Sequence, residues 1–293
     1  MVSPLSNPPH PLDAVLTPER TGETTCTLHI PEGWEQGKTI FGGLVLGALV
    51  RAMQTQEPDG ARRLRSLTAE LVGAPVPGDA SISLRTIRRG KAVTTVSAEL
   101  AQAPSPRESG GRQGSTREGG VREESELCTH AVAVFGSDRA LAEPMLTLER
   151  PSMPSWKDVP LVDLPIGLAP PFSQHFEYRP VMGLPFSGSA PEASGWLRPR
   201  IPPQTRDAAL VTALADAWWI CEMVTMTTPR PAATMSFALD LHTPLSEIDP
   251  SAPIFHHGKA LARTNGYASE VRTLWSEDGR LLAVNRQLVV IIK

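Results

Sequence analysis

The chain has 293 residues, with 28 basic and 31 acidic side chains, a formal charge of −3 and 41% hydrophobic residues. That composition is globular, and the near-neutral charge excludes nucleic-acid binding driven by net charge. Proline, at 29 residues, argues for turns and edge positions and against a helical bundle. The three cysteines, Cys26, Cys128 and Cys221, are too few and too scattered for a disulfide framework or a zinc cluster, and neither a metal nor a cofactor is expected. The longest apolar run, 40–50, is interrupted by glycine and falls short of the about 20 residues a membrane helix needs. The first residues have no basic start and no apolar core, so the expectation is a cytoplasmic protein without a membrane partner.

Residues 1–20 are Pro-rich and predicted to lie frayed over the surface. Residues 26–30 alternate as a first strand, and 34–37 read as a turn. The stretch 39–53 predicts a helix capped near Thr39, apolar nearly all round and therefore buried. Gly42, Gly43 and Gly47 each cost about 1 kcal/mol relative to Ala inside a helix, which implies close packing against its backbone. Strands are predicted at 64–72, 80–88 and 92–101, with turns at Pro77-Gly78-Asp79 and Arg88-Arg89-Gly90-Lys91. Such short connections imply antiparallel pairing. Residues 104–126 hold one Val among Gly, Ser, Arg and Glu, and predict a flexible insertion before a strand at 127–135.

A Pro-rich linker of extended character, 151–171, follows. Then the same order recurs: strands at 172–178 and 195–199, a second long helix at 206–227, and strands at 234–241, 253–263, 267–275 and 281–292. The turn Ser276-Glu277-Asp278-Gly279 joins the last two. This is a repeat of architecture with little obvious sequence identity between the halves. A curved sheet wrapped round a buried helix satisfies both halves. The expected organisation is an N-terminal lobe at 20–150, the linker, and a C-terminal lobe at 172–293.

One residue is out of place. Asp216 sits in Ala213-Leu214-Ala215-Asp216-Ala217-Trp218-Trp219, and a buried carboxylate is costly unless paired. Either it faces solvent or bonds a neighbouring strand, or it lines a cleft beside the helix. Thr234 opens a strand. Gln287 shares a face with Asn285 and Val289, opposite Arg286 and Leu288, but periodicity leaves open which face is inward. Trp218 and Trp219 read as core and pocket wall. Arg88, Arg89 and Lys91 are turn charges that either face solvent or meet ligand phosphates. His256 and His257 point to opposite faces of a strand with no third ligand in reach. No Gly-x-Ser-x-Gly elbow is present, which disfavours a serine hydrolase, and Gly42, Gly43 and Gly47 do not form a dinucleotide fingerprint.

The ordered set of segments resembles the acyl-CoA thioesterases with two fused hotdog domains, the TesB-like group. In the first half the segment from Trp34-Glu35-Gln36-Gly37 to Phe41-Gly42-Gly43-Leu44 is similar to the family's glycine-rich opening of the hotdog helix. Pro75-Val76-Pro77-Gly78-Asp79 and Ile87-Arg88-Arg89-Gly90-Lys91 resemble its strand–turn–strand segment. In the second half the likeness lies in Ala215-Asp216, in Ala232-Ala233-Thr234-Met235-Ser236-Phe237, and in Asp278-Gly279-Arg280 through Asn285-Arg286-Gln287. Asp240 departs from the family, which tends to carry an aromatic residue there, and the Asp216–Thr234 interval is short.

The resemblance implies an α+β double hotdog whose two lobes share a continuous sheet surface. It implies hydrolysis of acyl-CoA thioesters in lipid metabolism and further self-association into a homo-oligomer. It also implies that an Asp, a Thr and a Gln hold the hydrolytic water; carried over one by one, these are Asp216, Thr234 and Gln287. Backbone N–H groups at Gly42 and Gly43 would polarise the carbonyl, Trp218 and Trp219 would bound the acyl pocket, and Arg88, Arg89 and Lys91 would meet the phosphates of coenzyme A. Two rivals remain at this point: a hotdog hydratase or dehydratase, which needs a His that the second helix lacks, and a non-catalytic acyl-CoA-binding protein.

Overall fold

The computed structural model describes residues 11–57, 60, 62–103, 125–140, 142 and 146–292. Most of the insertion expected at 104–126 lies outside the described residues. In chain order the elements are α1 (Leu12–Val15), β1 (Glu19–Arg20), β2 (Thr25–Ile30), β3 (Glu35–Gln36), β4 (Thr39–Ile40), α2 (Gly42–Gln54), β5 (Arg62–Leu71), β6 (Gly78–Arg89), β7 (Val93–Gln102) and β8 (Glu126–Ser137). The second half contributes β9 (Phe176–Met182), β10 (Glu192–Pro199), α3 (Ala208–Asp216), α4 (Glu222–Thr225), β11 (Ala232–Leu241), β12 (Ile254–Thr264), β13 (Tyr267–Ser276) and β14 (Leu281–Ile291).

Twelve strands form one sheet in the order β1-β2-β6-β7-β8-β5-β11-β14-β13-β12-β10-β9, and β3 and β4 form a separate small ribbon. Each pairing in the large sheet is antiparallel. The halves meet at β5 and β11, where Phe237 lies opposite Ala69 and Leu239 opposite Leu67. Two hotdog lobes thus share one curved sheet around two helices. Strand alternation sets the inward face. On β6, Ala80, Ile82 and Leu84 are buried between exposed neighbours. On β14, Asn285, Gln287 and Val289 are buried while Arg286 and Leu288 are exposed, which resolves the face left open by periodicity.

The helices run antiparallel in contact, and glycine makes that contact possible. A Cβ at Gly43 would stand 2.5 Å from the Ala213 carbonyl oxygen, and one at Gly47 would stand 2.8 Å from that of Ala209. Only hydrogen fits there. Every α2 residue from Gly42 to Val50 is buried, as are Ala209 to Ala215 of α3.

Several expectations need correction. The second helix does not run over 206–227: α3 stops at Asp216, and only the short α4 resumes. Side chains take the carbonyls that would continue it. The Tyr178 hydroxyl donates to Ala217 O at 2.8 Å, and Arg272 donates to Ala215 O at 3.0 Å and to Trp218 O at 3.4 Å. The first helix starts at Gly42 rather than Thr39, because Thr39 pairs in the β3–β4 ribbon and its hydroxyl donates to Pro75 O. Residues 11–16 are not frayed: Leu12, Val15 and Leu16 are buried, and Leu16 lies against Gly47. Residues 171–175 form a 3-10 turn, so the strand expected at 172–178 begins at Phe176.

The Pro-rich segment is packed rather than free. Trp156 and Val159 join Trp196, Phe255 and Trp275 on the sheet face turned away from α3. The guanidinium groups of Arg179 and Arg198 sit 4.5 and 4.9 Å from the Trp156 ring.

Candidate active site

Because α3 ends at Asp216 and runs antiparallel to α2, its last carboxylate arrives at the first turn of α2. Gly42 makes room for it: a Cβ there would stand 2.8 Å from Asp216 Oδ2. The Gly43 backbone N–H supports the carboxylate, and the positive end of the helix dipole favours its charge. Gln287 Nε2 donates to Asp216 Oδ1 at 3.1 Å and to Asn285 Oδ1 at 3.0 Å, while Gln287 Oε1 accepts from the Thr234 hydroxyl at 2.9 Å. Asn285 in turn donates to Ala238 O at 2.8 Å. The amide of Gln287 therefore has both hydrogens committed and its orientation fixed.

Asp216 is partly buried here, and desolvation is the main influence on it, pushing its pKa up to about 6. Arg272 pulls the other way, followed by the hydrogen bonds from Gln287 and Gly43, while Glu270 raises it further.

Asp216 and Thr234 line a cavity of about 320 Å³. Its other walls are mostly apolar: Phe172, Tyr178, Phe186, Trp218, Trp219 and Met223, with 164–170 of the Pro-rich segment closing one side. Trp218 and Trp219 stand at a ring separation of 4.4 Å, and Trp219 is pinned by its indole N–H donating to Gly183 O at 2.7 Å. Phe186 holds a φ of 61°, a strained conformation for a bulky residue at the pocket wall.

The structure gathers Asp216, Thr234, Gln287, Gly42, Gly43, Trp218 and Trp219 in one place. It does not bring Arg88, Arg89 and Lys91 there. Arg89 donates to Gln56 O, and the Lys91 carbonyl accepts from Arg62 at 3.1 Å, so this turn lies past the C-terminal end of α2. That is roughly 20 Å along the helix from Asp216 at 1.5 Å per residue. His257 pairs with Glu192 at 2.7 Å. His256 is buried, stacks on Trp218 and faces Ala215 O at 3.4 Å. No cluster with metal-binding character occurs among the described residues.

Sequence reasoning missed Arg272 and Glu270, and gave Asn285 no role beyond sharing a face with Gln287. The signal was present: Ala268, Glu270, Arg272 and Leu274 share one parity of β13 with two apolar members, and all four are buried.

The fold repeat offers a second, equivalent position. Superposing the two helix contacts sets Gly43 on Ala209 and Gly47 on Ala213, and so matches Val50 with Asp216. The bulges at Leu64/Ser66 and Thr234/Ser236 match Leu64 with Thr234, and the pairings Leu67–Ala133 and Phe237–Gln287 match Ala133 with Gln287. Val50, Leu64 and Ala133 are buried and apolar. Among the described residues the polar set therefore occurs once.

Two family models match: the acyl-CoA thioesterase N-terminal domain over residues 30–136 and the acyl-CoA thioesterase C-terminal domain over residues 148–291. No curated protein sequence matches the chain. Among solved structures, a conserved hot dog fold protein of unknown function from Alicyclobacillus acidocaldarius aligns with a TM-score of 0.80 and 21% identity, covering 97% of this chain and 99% of that one. An acyl-CoA thioesterase II, TesB2, from Mycobacterium marinum aligns with a TM-score of 0.71 and 14% identity, covering 96% and 98%. The dehydratase domain of RzxB from Pseudomonas fluorescens aligns at 0.54 and 11%, covering 97% and 99%. These structures share the fold, and the two family models cover both lobes in order: the chain belongs to the acyl-CoA thioesterase family built from two fused hotdog domains.

Proposed function

We propose that the protein hydrolyses acyl-CoA thioesters to a free acid and coenzyme A, with Asp216 as general base. The observation that carries this reading is the hydrogen-bonded chain Thr234–Gln287–Asp216 at an apolar cavity beside the first turn of α2. A water seated between Asp216 and Thr234 donates one hydrogen to the carboxylate and one to the Thr234 oxygen. Its lone pair is then free to attack the thioester carbonyl carbon. Asp216 takes the proton as the C–O bond forms, and returns it to the thiolate as the C–S bond breaks. The Gly43 N–H expected to polarise the carbonyl serves the Asp216 carboxylate instead, and the positive end of the α2 dipole favours the developing oxyanion. No covalent enzyme intermediate is needed. The cavity walls receive the acyl chain.

The hydratase or dehydratase alternative requires a His to move a proton at carbon. His256 is the buried His nearest α3, and it faces a backbone carbonyl rather than lining the cavity, which weighs against that reading. The test is a screen of CoA esters of graded acyl length, with released thiol measured by a chromogenic disulfide. Thiol release with saturation kinetics on one group of esters supports the proposal. Hydration of an enoyl ester without thiol release rejects it.

A further inference from the structure

We propose that Arg272 is a positioning residue for Asp216: it fixes the broken end of α3 that carries the carboxylate and brings its cation to the wall of the same cavity. The inference rests on the reading of Asp216 as the base. Arg272 is about 1% exposed and reaches the cavity from the inward face of β13. Its Nε donates to Glu270 Oε1 at 2.6 Å, and its Nη1 donates to the carbonyls of Ala215 and Trp218. The other Glu270 oxygen accepts from the Cys221 backbone N–H at 2.9 Å. One ion pair thus holds three backbone groups on both sides of the helix break, just before and just after Asp216.

A buried pair of this kind is a poor way to gain stability, because apolar residues of similar size often do as well. Its value lies in what it does to its surroundings. The groups around Asp216 are Arg272 and Glu270 from β13, Tyr178 from β9, His256 from β12, Gln287 and Asn285 from β14, and Cys221 after the helix break. Burial holds Tyr178 and Cys221 protonated and His256 neutral. Arg272 is therefore the cation of the set. Its pull on Asp216 outweighs the opposing push of Glu270.

The experiment compares Arg272→Gln, Arg272→Lys and the double variant R272M/E270Q with the parent. Thermal denaturation reports folding. The Asp216 carboxyl is titrated by carbon NMR, with its resonance assigned by its loss in Asp216→Asn, and kcat/KM is followed against pH. In Arg272→Gln the Asp216 midpoint rises by about one unit or more, the usual size for loss of a neighbouring opposite charge. The acid limb of kcat/KM moves with it, so that activity falls most at low pH and recovers as pH rises. Arg272→Lys restores the midpoint. The double variant removes both members of the ion pair and so leaves neither Arg272 nor Glu270 as an unpaired buried charge; it decides the matter if Arg272→Gln does not fold, and it shows a smaller shift of the same sign. A folded variant without the cation whose Asp216 midpoint and acid limb are unmoved overturns the proposal and leaves Arg272 a purely structural tie. Full hydrolysis by Asp216→Asn would instead reject the base reading. The NMR midpoint tests the hold of Arg272 on Asp216 independently of that result.

Discussion

Gln287 donates its side-chain amide to Asp216 at 3.1 Å, although 71 positions separate the two residues. One stands on the last strand and the other at the end of the second helix. They meet because the sheet wraps the helix and because α3 stops at the residue whose side chain is needed.

The same amide accepts from Thr234 at 2.9 Å, and in the mechanism we propose Thr234 and Gln287 serve one water as a unit. We expect Thr234→Ala and Gln287→Ala each to reduce kcat/KM, and the double variant to lose less than the two free-energy penalties combined. A coupling of about 0.5–3 kcal/mol in a double-mutant cycle is the expected size for groups in one network. Strict additivity would show that they act separately.

Asp216 must be ionised to accept a proton, and burial raises its pKa from 3.8 to about 6. The kcat/KM profile should therefore rise through pH 6, measured with an ester stable over that range. Stability runs the other way. Below pH 3.8 the carboxyl is protonated in both the folded and unfolded states and carries no penalty. Between 3.8 and about 6 the unfolded chain releases its proton first, so stability falls as pH rises, and above about 6 the loss is complete. At 1.36 kcal/mol per unit the loss is roughly 3 kcal/mol. Asp216→Asn should melt at a higher temperature than the parent at pH 8, with the difference closing below pH 4.

Sequence reasoning singled out Asp216 because a carboxylate stood out in an apolar helical stretch and because the family resemblance pointed to it, as it did to Thr234 and Gln287, and it found the two-lobe order because helix and strand periods alternate clearly. It overran the end of α3, since Trp218, Trp219 and Ile220 continue the apolar pattern while the groups that stop the helix, Tyr178 and Arg272, come from distant strands. Arg272 and Glu270 went unread for a related reason: charged residues at period two on a strand usually mark the solvent face, and β13 turns them inward. Nor could the Pro-rich segment be seen as a cavity wall, because proline spacing reports extension and not what the chain lies against.

Gly42 is expected to matter more for activity than for folding. Gly42→Ala adds a methyl group 2.8 Å from Asp216 Oδ2 and 3.2 Å from Leu71 Cδ2, so the carboxylate must move. Overpacking of this kind costs about 1–3 kcal/mol. Turnover should fall by about tenfold or more with the fold retained, since a small misplacement of a reacting group is expensive. Unchanged turnover would mean that Asp216 has freedom the packing does not suggest.

Trp219 bounds the cavity and is held by Gly183. Trp219→Ala should shift the acyl preference toward longer or bulkier chains, by about tenfold in relative kcat/KM, near the lower value of one methylene in an apolar pocket. The ratio between two esters differing in chain length checks this, and an unaltered ratio would place the acyl chain elsewhere.

The most direct test of the whole account is the turnover of Asp216→Asn on the best CoA ester, with circular dichroism confirming the fold. Asn keeps the shape of the side chain and removes the base, so kcat should fall by roughly 10²-fold or more, the usual worth of general base catalysis. A folded Asp216→Asn protein that releases coenzyme A at the parent rate would contradict the account.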